Sequence, residues 1–311
     1  LFRQTQQSID GGAFPASNEY DFYKTPFVQN ERDLVVGFAT NSAWDIAVRT
    51  NASVLVLADW QEGPLMGQEY LFRPLLLIAK NRADFLSMLA AVPLTPELRT
   101  ATLEVVMNRL AKPSSVLPAE RLAFVHTILK EVKADTRFSE AHVQFLARYF
   151  HFLMIRDAKA LPATSGEAST DLLNSIIAGP AAANQAGPFQ GTRIEQIASD
   201  LYSHFYERYH PLRLKARGAD AEEIQHPFFS FLSSDAAFER LQKVFNNGVY
   251  YVQSSLFDPQ LWATVKKLAA EKGLTRFAAS ISNIIDCSYG GCHSGPGTTK
   301  AAWKLISTAL G

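Results

Sequence analysis

Two short segments, read together, constrain this chain most. Residues 33–40 read DLVVGFAT and residues 53–60 read SVLVLADW, with a helix-like stretch at 42–49 between them. The first is an apolar run that ends near a glycine and passes into Thr40, Asn41 and Ser42. The second is an apolar run that ends at a carboxylate. Strand, helix and strand within some thirty residues is the unit from which open, parallel nucleotide-binding sheets are built. Gly37 would let a backbone approach a ligand at the end of the first strand. Asp59 stands 22 residues further on, where such folds keep the carboxylate that holds ribose hydroxyls.

The glycine pattern is reduced. A full dinucleotide fingerprint carries three glycines, and here Gly37 is followed by Phe38, Ala39 and Thr40. A buried strand ending in a tight turn, with no ligand, explains the same residues about as well.

At 311 residues with 47% hydrophobic side chains the chain can bury a substantial core. Thirty basic residues balance thirty acidic ones, so net charge gives no argument for nucleic acid or for an anionic membrane. No apolar run reaches the length of a membrane span. The first residue is Leu1, which is compatible with a removed signal peptide and with a trimmed chain alike. Cys287 and Cys292 lie five positions apart. They would close a small disulfide loop in an exported protein and stay thiols in the cytoplasm. With His293 they make three metal-type ligands, and no fourth is evident. His126, His142, His151 and His226 are isolated in sequence, and His204 and His210 face different sides of a helix.

Further along, valine- and leucine-rich runs without alternation predict strands at 34–38 and 54–58, buried on both faces. Residues 65–78 read as a helix that Pro74 should kink or break. More helices follow at 82–91, from Thr95 and Pro96, at 118–133 with Leu122, Val125, Leu129 and Val132 on one face, and at 139–154 behind a capping Ser139. Residues 157–191, rich in Ala, Gly, Pro, Ser and Thr, read as a mobile loop around one short helix, and 193–209 as a helix. The α/β pattern then returns: helix 235–245, strand 249–253, helix 259–272 capped by Asp258 and closed by Gly273, strand 276–281, a Gly-rich turn and a terminal helix from 299 to 310. The expected fold is a single α/β Rossmann-like domain with an open, mostly parallel sheet. Its sheet core spans 17–80 and 228–311, and a helical insertion, 81–227, separates strands two and three.

The segments SNEYDF, VVGFATNSAWDIA, VLVLADW and FRPLLLIAKNRADFLSML, and later FFSFLSSDAAFERLQKVFNNG, VYYVQSSLFDPQLW and SISN, resemble a poorly characterised bacterial family with a methyltransferase-like Rossmann core. The resemblance covers both ends of the chain, about half its length. It implies S-adenosylmethionine as cofactor and an unknown methyl acceptor. Carried over by position, Gly37, Thr40 and Asn41 lie against the methionine end of the cofactor. Asp59, with Trp60 beside it, takes the ribose hydroxyls, and Gln253 and Ser254 flank the adenine. Ser282 and Asn283 face the transferring methyl, and Asn18, Glu19 and Tyr20 close the substrate side. Methyl transfer asks mainly for alignment and a dry pocket, so the lack of a catalytic triad does not oppose it.

Two other readings are open. A catalytically inactive Rossmann-like protein could use the same scaffold for binding or interaction. A hydrolase could use Cys292 or Ser294, although the sequence around them lacks the strand–turn–helix elbow that exposes a nucleophile.

Overall fold

The computed structural model describes residues 31–38, 41–59, 62–110, 118–159, 230–280 and 304–308. They fall into two compact units. One holds the described residues up to Leu65 together with 230–308, and the other begins at Met66 and runs to 159. Residues 66–78 pack with the helices that follow them.

The first unit contains the sheet. β1 (Leu34–Phe38), β2 (Val54–Asp59), β3 (Val249–Gln253) and β4 (Phe277–Ser280) all run parallel, in the order β3-β2-β1-β4. The chain steps outward from β1 to β2, reaches β3, and then returns to lay β4 on the far side of β1. Every residue of β1 is buried, as its unbroken apolar run requires, whereas β3 at the edge is half-buried throughout. On one face, α1 (Ser42–Arg49) and α9 (Asp235–Asn247) cover the sheet. Trp44 lies edge-on to Phe231 and Phe245, with ring centroids 5.3 and 5.2 Å away. On the other face, Leu34, Val36, Phe38, Val54 and Val56 meet Trp262, Val265 and Ala269 of α10 (Pro259–Lys272). Right-handed crossovers in opposite directions along a sheet put their helices on opposite faces, which is the arrangement seen.

Local chemistry sets the element ends. Asp258 accepts the Gln260 N–H at 2.9 Å and Pro259 fills the first helical position of α10. Gly273 ends that helix at a φ of +66°. At the N-terminal edge of the sheet, Asp33 ties β1 to β4. Its Oδ2 accepts the backbone N–H groups of Thr275 and Arg276 at 3.0 and 2.9 Å, and its Oδ1 accepts both Nε and Nη2 of Arg276 at 3.0 and 2.6 Å. The Arg276 side-chain hydrogen bonds first, then the Thr275 amide, hold this carboxyl far below the usual range.

The second unit is helical. It begins at Met66, the last residue of α2 (Glu62–Met66), and a π-helical turn (Gly67–Phe72) and α3 (Arg73–Ile78) follow without a gap, so Pro74 does not break the helix. Proline lacks an N–H and its ring collides with the carbonyl four residues back. The π turn changes the hydrogen-bond register just before it, and Pro74 falls in the first turn of α3. α4 (Arg82–Ala90) starts at Asn81, whose side chain accepts the Asp84 N–H, and ends at Ala91 in the left-handed region with φ +52°. α5 (Pro96–Arg99) is one turn only, and α6 (Leu103–Leu110) follows.

α7 (Pro118–Ala134) and α8 (Glu140–Lys159) pack against each other. The α7 face differs from expectation: Val125, Ile128 and Val132 are buried together with Arg121, while Leu122 and Leu129 are half-buried. Arg121 belongs inside because it collects the end of α4, donating to the Ala91 and Ala90 carbonyls at 2.9 and 3.2 Å and to Asp157 at 2.8 Å. Tyr149 donates to the next carbonyl back, Leu89, at 2.6 Å. α8 continues through residue 159, so the loop expected from 157 begins helically. The remainder of that loop, 160–191, and the helix expected at 193–209 lie outside the described residues.

Candidate functional site

In an open parallel sheet, ligands bind beyond the carboxyl ends of the strands, where the strand order reverses. Here that point lies between β1 and β4, and Gly37 and Ser280 are register partners beside it. Of the residues singled out from the sequence, Gly37, Asn41, Asp59, Gln253 and Ser254 are described, and all belong to this edge. Thr40, Trp60, Ser282, Asn283, Asn18, Glu19 and Tyr20 lie outside the described residues, as do Cys287, Cys292, His293 and Ser294.

Asp59 is the last residue of β2 and stands opposite Gln253, the last residue of β3. Both are half-buried. The ladder continues one step further, with the Ser254 N–H donating to the Asp59 carbonyl at 2.8 Å. A carboxylate and a carboxamide thus stand on adjacent strand ends, a pairing able to accept from a diol and to donate to or accept from a base edge. The Ser254 hydroxyl is engaged elsewhere: it donates to Asp258 Oδ2 at 2.8 Å and steadies the cap of α10.

Gly37 serves packing. A Cβ built on it would sit 2.1 Å from the Ala43 Cβ, so α1 occupies the space that the missing side chain leaves. This is the part that one glycine of a full fingerprint plays, close helix-on-strand approach. Asn41 is fully buried at the N-terminus of α1, where its carbonyl accepts the Trp44 and Asp45 N–H groups at 3.1 and 3.2 Å. Asp45, one turn into α1, is also buried and accepts the Phe231 N–H at 2.9 Å, pinning the segment that enters α9. No local pattern marks Asp45 in the sequence, because its partner is 186 positions away.

A second polar cluster lies in the helical unit. The Ser139 backbone N–H donates to His142 Nδ1 at 3.1 Å, and the Ser139 Oγ is 3.0 Å from the same atom. His142 Nε2 is 3.3 Å from Glu69 Oε1, which also accepts from Arg73 at 3.1 Å. Tyr70 and Phe138 flank the imidazole, with centroids 4.8 and 5.3 Å away. An S-x-x-H spacing at the helix start was the available signal, since S-x-x-E is the familiar capping pattern. The Glu69 partner, 73 positions away, was not legible.

Among the described residues, no group of three His, Cys, Asp or Glu could hold a metal ion, and no helix is long and apolar enough to cross a membrane. Compared with known proteins, the chain matches no family model, no curated protein and no solved structure.

Proposed function

We propose that the sheet unit binds S-adenosylmethionine or a related nucleoside at the carboxyl edge of its strands, and that the chain is a methyltransferase-like protein with an unidentified acceptor. The observation that supports this best is the pair Asp59 and Gln253, in register at the ends of β2 and β3, in a parallel sheet whose order reverses at β1. In this reading the Asp59 carboxylate accepts from the ribose hydroxyls and Gln253 flanks the adenine. The backbone around Gly37, with Thr40 and Asn41, meets the methionine end. Trp60, Ser254, Ser282 and Asn283 are assigned by position in the chain, and Asn18, Glu19 and Tyr20 are assigned to the acceptor side. The helices between residues 81 and 227 are read as an insertion between β2 and β3.

A thermal-shift titration tests the reading. A ligand that binds only the folded state adds about 2.7 kcal/mol of stability at a concentration one hundred times its Kd. S-adenosylmethionine and S-adenosylhomocysteine should both raise the melting temperature, and Asp59→Ala should remove most of the shift. No shift with either ligand, and the same flat response from the variant, overturns the reading. One observation favours a binding scaffold that does not transfer methyl groups: the space beside Gly37 is filled by Ala43. A shift with S-adenosylhomocysteine but no methyl loss from S-adenosylmethionine across an acceptor screen would select that form.

A further inference from the structure

We propose that Ser139, His142 and Glu69 form a serine acyl-transfer site in the helical unit, acting on small carboxylic esters. The juxtaposition is of a nucleophile, a base and an orienting carboxylate, each within reach of the next. It is independent of the nucleoside reading, because all three residues belong to the other unit.

The proton positions follow from the contacts. A backbone N–H can only donate, so the Ser139 N–H on His142 Nδ1 leaves that nitrogen without a proton. The neutral ring then carries its proton on Nε2, directed at Glu69 Oε1. The Ser139 hydroxyl must be the donor in its own contact with Nδ1. In an ordinary capping box the serine oxygen instead accepts the N–H three residues on. Here the hydroxyl is polarised as a nucleophile would be, and Ser139 is exposed while the His142 side chain is only 7% exposed.

A second observation separates this cluster from a plain helix cap. The Glu69 Oε2 is buried and has no hydrogen-bond partner among the described residues. Such an oxygen is costly unless a charge compensates it. An imidazolium formed during reaction supplies that charge next to the carboxylate. Glu69 itself is presented by the π turn, a distortion that often marks functional positions. Two features hold the relay in check. Arg73 already offsets part of the Glu69 charge, and the Ser139 N–H competes for the lone pair that must take the proton.

In the step proposed, Ser139 Oγ adds to the ester carbonyl carbon as its proton passes to His142 Nδ1. The C–O bond to the alcohol then breaks, and the alcohol leaves with that proton. Water, giving its proton to Nδ1, next attacks the acyl-serine, and the acid is released with the serine hydroxyl restored.

The full-length chain should be treated with a fluorophosphonate probe and, separately, with p-nitrophenyl acetate. A single adduct on Ser139, located by mass spectrometry, is expected, absent from Ser139→Ala. Labelling should fall at least about a hundredfold in His142→Gln, the low end for loss of a general base. Where that variant fails to fold, His142→Asn and Glu69→Gln, each checked by circular dichroism, serve in its place and must lower labelling likewise. Labelling of Ser139 that is absent, or that ignores every folded His142 and Glu69 variant, reduces the cluster to a helix cap and overturns the proposal.

Discussion

The two units solve the same problem, pairing the polar groups of a buried interior, by different means. In the sheet unit, backbone pairing between strands satisfies most of the buried amides, the face against α10 is hydrocarbon and aromatic rings, and on the other face one buried side chain, Asp45, reaches across to the Phe231 N–H. Its best-defined ion pair, Asp33 with Arg276, stays at the edge. In the helical unit, side chains reach far along the sequence to collect carbonyls. Tyr149 takes Leu89, and Arg121 takes Ala90 and Ala91 while pairing with Asp157. A sheet distributes its polar satisfaction over many equivalent bonds. A bundle with a helix end inside must concentrate it in a few side chains. Removing one residue should therefore have different consequences in the two units, and hydrogen exchange can read each unit separately.

Trp44 in the sheet unit should show the largest effect. It is fully buried and edge-on to two phenylalanines. Trp44→Ala removes the ring and leaves a cavity, at a cost of about 5 kcal/mol, the upper end for such truncations because two ring pairs go with it. Exchange protection should fall across β1 and β2 while α7 and α8 keep theirs. Arg121→Met comes next, at about 3–4 kcal/mol in the helical unit, because Asp157 is left charged and buried. The comparison becomes sharper with Arg121→Met/Asp157→Leu. Removing both charges should recover much of the loss, whereas no second substitution at an apolar neighbour refills the Trp44 cavity so well. A double variant as unstable as the single one would show that the carbonyls of Ala90 and Ala91, not the carboxylate, dominate.

Gly37→Ala ranks third. The added methyl meets the Ala43 Cβ at 2.1 Å, which neither residue can relieve by rotating a side chain. Overpacking of this kind costs about 1–3 kcal/mol. Gly37→Ala/Ala43→Gly moves the methyl from helix to strand and should restore packing, less about 0.5–1 kcal/mol for glycine within a helix. If the double variant also loses a nucleoside-induced thermal shift that Ala43→Gly alone retains, Gly37 has a ligand-side role besides its packing one.

The sequence exposed the sheet unit far better than the helical one, and the reason is the range of the forces involved. β1 and β3 match the apolar runs read from sequence, and β2 gains only Asp59. Asp258, Pro259 and Gly273 marked the ends of α10 through chemistry that acts within one turn. The adjacency of Asp59 and Gln253 required knowing that β2 and β3 pair, 190 residues and many helices apart in the chain, and two polar ends after two apolar runs hinted at it. Arg121 defeated the helical pattern because a charged residue reads as surface unless its partners are known, and those lie 30 to 36 positions away. Pro74 read as a break because the sequence does not announce a π turn. Glu69 and His142 were invisible as a pair for the same reason as Arg121: neither side of the contact carries a local signature.

Acid should distinguish the units by the pH at which each weakens, and this is the smallest effect of the four. Burial first, and the nearby Arg148 charge second, push His151 below the ordinary histidine range. The folded state thus resists taking a proton that the unfolded chain accepts, so stability falls as pH drops below the unfolded value of about 6.5. Asp33 acts in the same sense, at lower pH. Its folded-state value is depressed, so its contribution is present above the unfolded value of about 3.9 and disappears only as pH falls further. On acidification the helical unit should lose exchange protection first, as pH falls below about 6.5, with the sheet unit following below about pH 4. His151→Gln should flatten the first decline and leave the second, and Asp33→Asn should do the reverse, lowering stability at pH 7 by an amount that vanishes in strong acid. Simultaneous loss of protection in both units, unaltered by His151→Gln, would mean that they share one acid response and that the contrast between their interiors does not govern it.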